Sequence, residues 1–185
     1  MDVRFFEPFY EGEQVEVSTT EQPGGCIKVE AGRASGLAWM DDAALSAEYP
    51  AAHLIAQQVP ASRETIRPGI VLGTIEKTLD LSQPGMSAPL DAWLGPERFA
   101  HPAILLSLAN EILIGNYTLG PWIHSSSEIR NASPARDGEH LHVRAKIEDA
   151  YERKGHEFVV LDVATMSGER LVSRIRHTAI WQLRK

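Results

Sequence analysis

The sequence predicts an α+β fold in which an antiparallel sheet wraps around one long buried helix. Three observations carry this prediction. Pro102 to Asn116 is a long apolar stretch with helical spacing. Four strand-like stretches follow it, separated by glycine turns. Shorter alternating stretches of the same kind stand near the N-terminus.

The front elements come first. Glu13 to Val17 alternates polar and apolar residues, and Cys26 to Ala31 does so again after a turn at Pro23-Gly24-Gly25. Gly36 to Met40 completes a small antiparallel meander. Asp41 or Asp42 is placed to cap a helix over Ala43 to Ser46, and a second short helix is expected over Ala51 to Gln58. Ile70 to Leu81 alternates like a strand, and Ser82 to Phe99 is rich in proline and glycine.

Pro102 suits the first turn of a helix, where its missing N–H costs nothing. Ile104, Leu105, Leu108, Ile112 and Leu113 follow, an apolar content that predicts burial nearly all round. Strands are then expected over Trp122 to Asn131, His140 to Ala150, Glu157 to Thr165 and Arg170 to Leu183. Gly138, Gly155 and Gly168 mark turns between them.

The chain has 185 residues, 43% of them hydrophobic, which is enough for a substantial core. Its net charge of −7 repels phosphate backbones and argues against nucleic acid as a partner. Cys26 is the only cysteine, so an internal disulfide is impossible. A reduced, cytoplasmic setting is expected, with no membrane span and no signal peptide at Met1-Asp2-Val3-Arg4. No metal motif, phosphate loop or nucleophile elbow is evident in the sequence.

One pattern occurs twice. Pro8-x-x-x-Gly12-Glu13-x-Val15-x-Val17 matches Pro134-x-x-x-Gly138-Glu139-x-Leu141-x-Val143. Each copy is a loop, a glycine turn and a strand with one apolar face, followed by two further strands.

The stretch from residue 99 to 183 resembles the hotdog-fold superfamily of acyl-CoA thioesterases and MaoC-like dehydratases. The residues carrying the resemblance are Ala100-His101-Pro102-Ala103 at the helix start and Ser133-Pro134-Ala135-Arg136-Asp137-Gly138-Glu139 before a long strand. Tyr151 to His156 as a turn and Arg176 to Ile180 in the final strand complete it. The resemblance implies a complete hotdog domain over 59–185. Residues 1–58 would be a partial hotdog-like strand repeat with a helical linker. It also implies edge-to-edge pairing of sheets, either in a homodimer or in a pseudo-dimer whose front strands extend the sheet.

The catalytic residues of the superfamily carry over only in part. Small thioesterases often have His-Gly-Gly at the helix start, where this chain has His101-Pro102-Ala103. A helix carboxylate found nine residues after the His in one branch corresponds to Asn110, with Glu111 next to it. The strand residue that helps hold water there corresponds to His124. The Asp-x-Asn-Pro-x-His run of the MaoC branch is missing, and Asp91 is a nearby carboxylate ahead of the helix.

The candidate catalytic residues are therefore His101, Asn110, Glu111 and His124. His101, or the backbone N–H groups beside it, can face a thioester carbonyl, or His101 can simply cap the helix. Glu111 is either a desolvated base, or it pairs with a nearby Arg or faces solvent. Asn110 can orient water but cannot act as a base. On a strand, His124 shares one face with Ser126 and Glu128. Ser126 and Arg176 are the candidate substrate-binding residues, and His177 reads as structural.

The leading reading is hydrolysis of an acyl thioester, with coenzyme A or acyl carrier protein entering as part of the substrate and no separate cofactor. Hydration or dehydration of an enoyl thioester is the alternative within the same scaffold. A non-catalytic acyl-binding or assembly subunit is the third reading.

Overall fold

The computed structural model describes residues 1–7, 12–40, 45, 48–54, 57–82 and 99–184. The front strands are β1 (Asp2–Phe5), β2 (Val17–Gln22), β3 (Cys26–Ala31) and β4 (Ala34–Ala38). Then come β5 (Val59–Pro60), β6 (Ile75–Thr78), the helix α1 (Pro102–Asn116) and β7 (Tyr117–Thr118). The chain closes with β8 (Ile123–Asn131), β9 (His140–Arg153), β10 (His156–Ser167) and β11 (Arg170–Gln182).

Among the described residues, nine strands form one sheet in the order β2-β3-β4-β1-β8-β11-β10-β9-β6. Every neighbouring pair is antiparallel. Read outward from the central β1–β8 pair, the order is β1, β4, β3, β2 on one side. On the other it is β8, β11, β10, β9. The sheet thus contains the same four-stranded unit twice, and the edge-to-edge junction expected between two copies is made within one chain.

The turns repeat as well. Gly12 and Gly138 both have positive φ, 79° and 75°, which favours glycine. The glutamate after each turn pairs with an arginine at the start of its unit's last strand. Glu13 meets Arg33 Nη1 at 2.7 Å, and Glu139 pairs with Arg170. The strands after these turns differ. Leu141 and Val143 are fully buried, whereas Val15 and Val17 are exposed and β2 begins only at Val17. The strand expected over Glu13 to Val17 is therefore displaced along the chain, because the front unit has no described helix to bury that face. Pro8 lies outside the described residues.

The helix covers the second unit. Leu105, Leu108, Ala109, Ile112 and Leu113 are buried, at the i, i+3, i+4, i+7, i+8 spacing of one helical face. They pack on Leu141, Val143, Ala145 and Ile147 of β9, Val159, Leu161 and Val163 of β10, and Ile175 and Ala179 of β11. Alternation along each strand turns these residues inward. Burial all round is not found. Ile114 is 42% exposed, and Ala103 lies on the same open side.

The strand expected over Ile70 to Leu81 is shortened to β6. Val71 and Leu72 still contact Lys146 and Ala145 of β9, and Leu79 N donates to Glu139 O at 2.9 Å. Between them the ladder is interrupted. Gly73 N donates to Asn116 Oδ1 at 2.6 Å and Thr74 N to His53 O at 2.7 Å, so neither is available to β9. Residues 51–54 and 57–58 are not helical, in contrast to the helix expected there, since Val59–Pro60 instead runs parallel to β7. The capped helix expected before it, and Asp91, lie outside the described residues, except Leu45. Among the described residues, no helix is long and apolar enough to cross a membrane.

Candidate active site at the junction of the two units

The site starts from an irregularity in β8. His124 pairs with Ala179 of β11 and Ser126 pairs with Thr178, leaving Ser125 as an extra residue. A bulge of this kind shifts the side-chain alternation by one. His124 therefore shares the inner face with Ser127, not the outer face with Ser126 and Glu128 as a regular strand would have it.

The consequence is a chain of three side chains. His124 Nε2 lies 2.9 Å from Ser127 Oγ, and Ser127 Oγ lies 3.0 Å from His177 Nδ1. The two imidazole rings are 4.5 Å apart, and the Phe5 ring is 5.0 Å from His124. Ser127 and His177 are buried, while His124 is partly accessible. One hydroxyl has one proton, so Ser127 donates to one ring and accepts from the other. Because the hydroxyl meets Nε2 of one ring and Nδ1 of the other, the two rings hold the same tautomer, both Nδ1–H or both Nε2–H.

Burial disfavours charge on both rings. It pushes His177 down to about 3, helped by the nearby His124. It also lowers His124, against a backbone hydrogen bond at Ser126 that favours the protonated ring. His177 Nε2 has no hydrogen-bond partner among the described residues. Both rings are therefore neutral near pH 7, and the ring whose N–H meets Ser127 keeps its lone pair free of that hydroxyl.

Next to this chain lies the open inner face of the front unit. Val3 pairs with Ser127 across the β1–β8 junction and with Gly36 of β4, and Gly36 pairs with Val29 of β3. Directly paired residues share a sheet face, so these residues continue the face that carries Ser127. Val3, Val29, Ala31, Ala34, Gly36 and Ala38 line a cavity of about 220 Å³ there. Small residues form its floor, and a Cβ added at Gly36 would come within 3.3 Å of Asp2 O. At Met1 and Ala38 it adjoins a second cavity of about 690 Å³, which reaches Ile129 and Pro102 at the start of α1. That volume is in the range of small-molecule sites.

The other predicted residues lie elsewhere. His101 is the helix cap: its Nδ1 accepts from Ala103 N at 3.1 Å. Ile104 N and Leu105 N donate to His101 O, and Pro102 has no N–H, so the first turn has no free donor for an oxyanion. Glu111 binds Lys77 Nζ at 2.6 and 2.8 Å and is about one-third exposed, so it is paired rather than desolvated. Asn110 stands on the helix face opposite Leu105, Leu108 and Ile112. Its Oδ1 is buried without a partner among the described residues. Ser126 and Arg176 line a different cavity, of about 370 Å³, together with Arg4 and Glu128, and Arg176 is tied to Glu148 at 2.8 Å.

The structure thus does not gather His101, Asn110, Glu111 and His124 into one site. It links His124 to Ser127 and His177, two residues that nothing in the local sequence pattern joins to it. A bulge is invisible to a period-two reading. The available signal was a histidine at an apolar position of the last strand.

Glu111→Gln follows as a test of its pairing. A half-exposed ion pair contributes about 0–1 kcal/mol. The expected result is a small change in thermal midpoint and no change in any turnover of the protein. A large loss of turnover would restore Glu111 to the site.

No protein-family model matches the sequence, and no curated protein matches it. Solved structures do match. Protein af1124 from Archaeoglobus fulgidus has a TM-score of 0.51 and 16% identity, the match covering 70% of this chain and 86% of that one. A monoamine oxidase regulatory protein from Archaeoglobus has a TM-score of 0.51 and 15% identity, covering 71% and 99%. The ChsH1-ChsH2 complex from Mycobacterium tuberculosis has a TM-score of 0.50 and 12% identity, covering 62% and 98%.

Proposed function

The chain has the hotdog fold, and on that premise we propose that it hydrolyses an acyl thioester, with His124 as the general base. The observation that carries this reading is the His124–Ser127–His177 chain beside an apolar groove floored by small residues. The groove takes the acyl chain, which places the carbonyl near Phe5 and His124. Coenzyme A or acyl carrier protein enters as part of the substrate.

In this reaction the water oxygen attacks the thioester carbonyl carbon and His124 accepts the water proton. The C–S bond then breaks and the thiolate leaves, taking up the proton from His124. Thiols have pKa values near 8.5, so the leaving group needs little acid assistance. Ser127 and His177 are positioning residues that hold His124 in one tautomer and orientation. Two neutral imidazoles suit this need for a base. Hydration of an enoyl thioester also needs a proton donor to carbon, which this pair is less suited to supply near neutral pH.

The test is a panel of saturated and enoyl acyl-CoA esters, followed for free thiol and for loss of the enoyl chromophore. Thiol release from saturated esters is expected. Enoyl loss without thiol would replace hydrolysis by hydration. Neither signal, with acyl-CoA still bound, would make the chain an acyl-binding protein.

A further inference from the structure

We propose a binding site for a divalent transition-metal ion of the zinc class on the outer face of the sheet, held by Glu76, His140 and His142. His140 and His142 stand two residues apart on β9 and so share a face. That face is opposite the one bearing the buried Leu141 and Val143. Glu76 of β6 pairs directly with His142, and Thr78 with His140. Two strands thus bring two imidazoles and a carboxylate to one point. One ligand atom from each lies within 4.8 Å of the other two.

The spacing has the dimensions of a coordination shell. His140 Nε2 lies 3.5 Å from Glu76 Oε2, and His142 Nδ1 lies 3.5 Å from Glu76 Oε1. These distances are long for a hydrogen bond. With metal–ligand bonds of about 2.0–2.2 Å, donor atoms at the corners of a tetrahedron stand about 3.4 Å apart. Each imidazole-to-carboxylate separation already matches that spacing, and the three ligand atoms lie within 4.8 Å of one another.

The remaining nitrogen of His140, Nδ1, lies 3.3 Å from Thr78 Oγ1. A polar partner on the non-ligating nitrogen is the usual way in which a metal-binding His is fixed in one tautomer. The two rings meet edge to face at 4.9 Å, so they are already held against each other. Imidazole with carboxylate selects zinc, copper, nickel or iron over calcium and magnesium. The ligands are solvent-accessible, which leaves a fourth position for water or for a group from another molecule. An ion here also joins β6, the edge strand of the sheet, to β9.

The experiment titrates zinc chloride into the full chain against a chromophoric chelator, and follows the thermal midpoint with and without zinc. One ion per chain is expected, with a zinc-dependent rise in the midpoint. Separate His142→Ala, His140→Ala and Glu76→Gln variants should each weaken binding at least tenfold and abolish the rise. His156→Ala, at the first position of β10 and away from the three ligands, should leave both unchanged. The three ligand side chains are accessible and outside the core, so their loss should leave the metal-free midpoint close to that of the parent chain. Absence of zinc binding in the parent, or equal binding in all variants, overturns the site. Should one variant fail to fold, the other two still decide the question.

Discussion

His124→Gln is expected to lower thioester turnover by about 10²- to 10⁴-fold, the usual contribution of a positioned general base. The amide of glutamine can still bond to Ser127 Oγ, so the local network keeps a partner, but it cannot take a proton. The loss should therefore fall on kcat far more than on KM, because in the proposed reaction the acyl chain is held by the groove at Val29, Ala34 and Gly36 and not by His124. The pH profile adds a readout that a purely structural role would not move. Burial lowers the His124 pKa, so its base form persists below the ordinary histidine range. The acid limb of kcat/KM should lie below pH 6.5, the unperturbed value, and should disappear in the variant. Ser127→Ala tests positioning: it removes the hydroxyl between the rings and should reduce kcat while leaving a shifted acid limb. Turnover within about twofold of the parent in His124→Gln would remove the base from the mechanism.

The same residues show how much of this protein was legible in its sequence. The helix and the four strands after it follow from apolar spacing, and each appears with nearly the expected bounds. The repeated Gly-Glu turn is also real in space, since Glu13 and Glu139 reach equivalent arginines. The face of His124 was not legible, because one unpaired residue at Ser125 reverses it without any mark in the local pattern. The partner of Glu111 was not legible for a different reason. Lys77 is 34 residues away in sequence, and the long-range packing that brings the two together is a tertiary fact. The junction of β1 with β8 is likewise long-range: it places Val3 beside Ser127 and so sets an apolar groove next to two histidines.

His177 should make the protein acid-sensitive in a way that His177→Phe does not. In the folded chain burial holds this imidazole down at about 3, while in the unfolded chain it titrates near 6.5. Between those values the unfolded state binds more protons than the folded state, so the free energy of unfolding rises with pH. Seen from the other side, the stability associated with a neutral His177 is fully present above pH 6.5. It declines as the pH falls toward 3, at up to about 1.4 kcal/mol per pH unit for one proton. From pH 8 to pH 5 the expected loss from this group is about 2 kcal/mol, with a smaller contribution of the same sign from His124. Phenylalanine keeps a planar ring in the fully buried position and cannot be protonated, while Ser127 retains His124 as a partner. The remaining carboxylates and histidines titrate in both proteins, so their contribution largely cancels in the difference. Urea unfolding at pH 8 and pH 5 measures it directly. The parent should lose about 2 kcal/mol more than the Phe variant over that interval. Parallel losses in the two proteins would mean that His177 carries its proton in the folded state, and that the neutral pair assigned to the site is wrong.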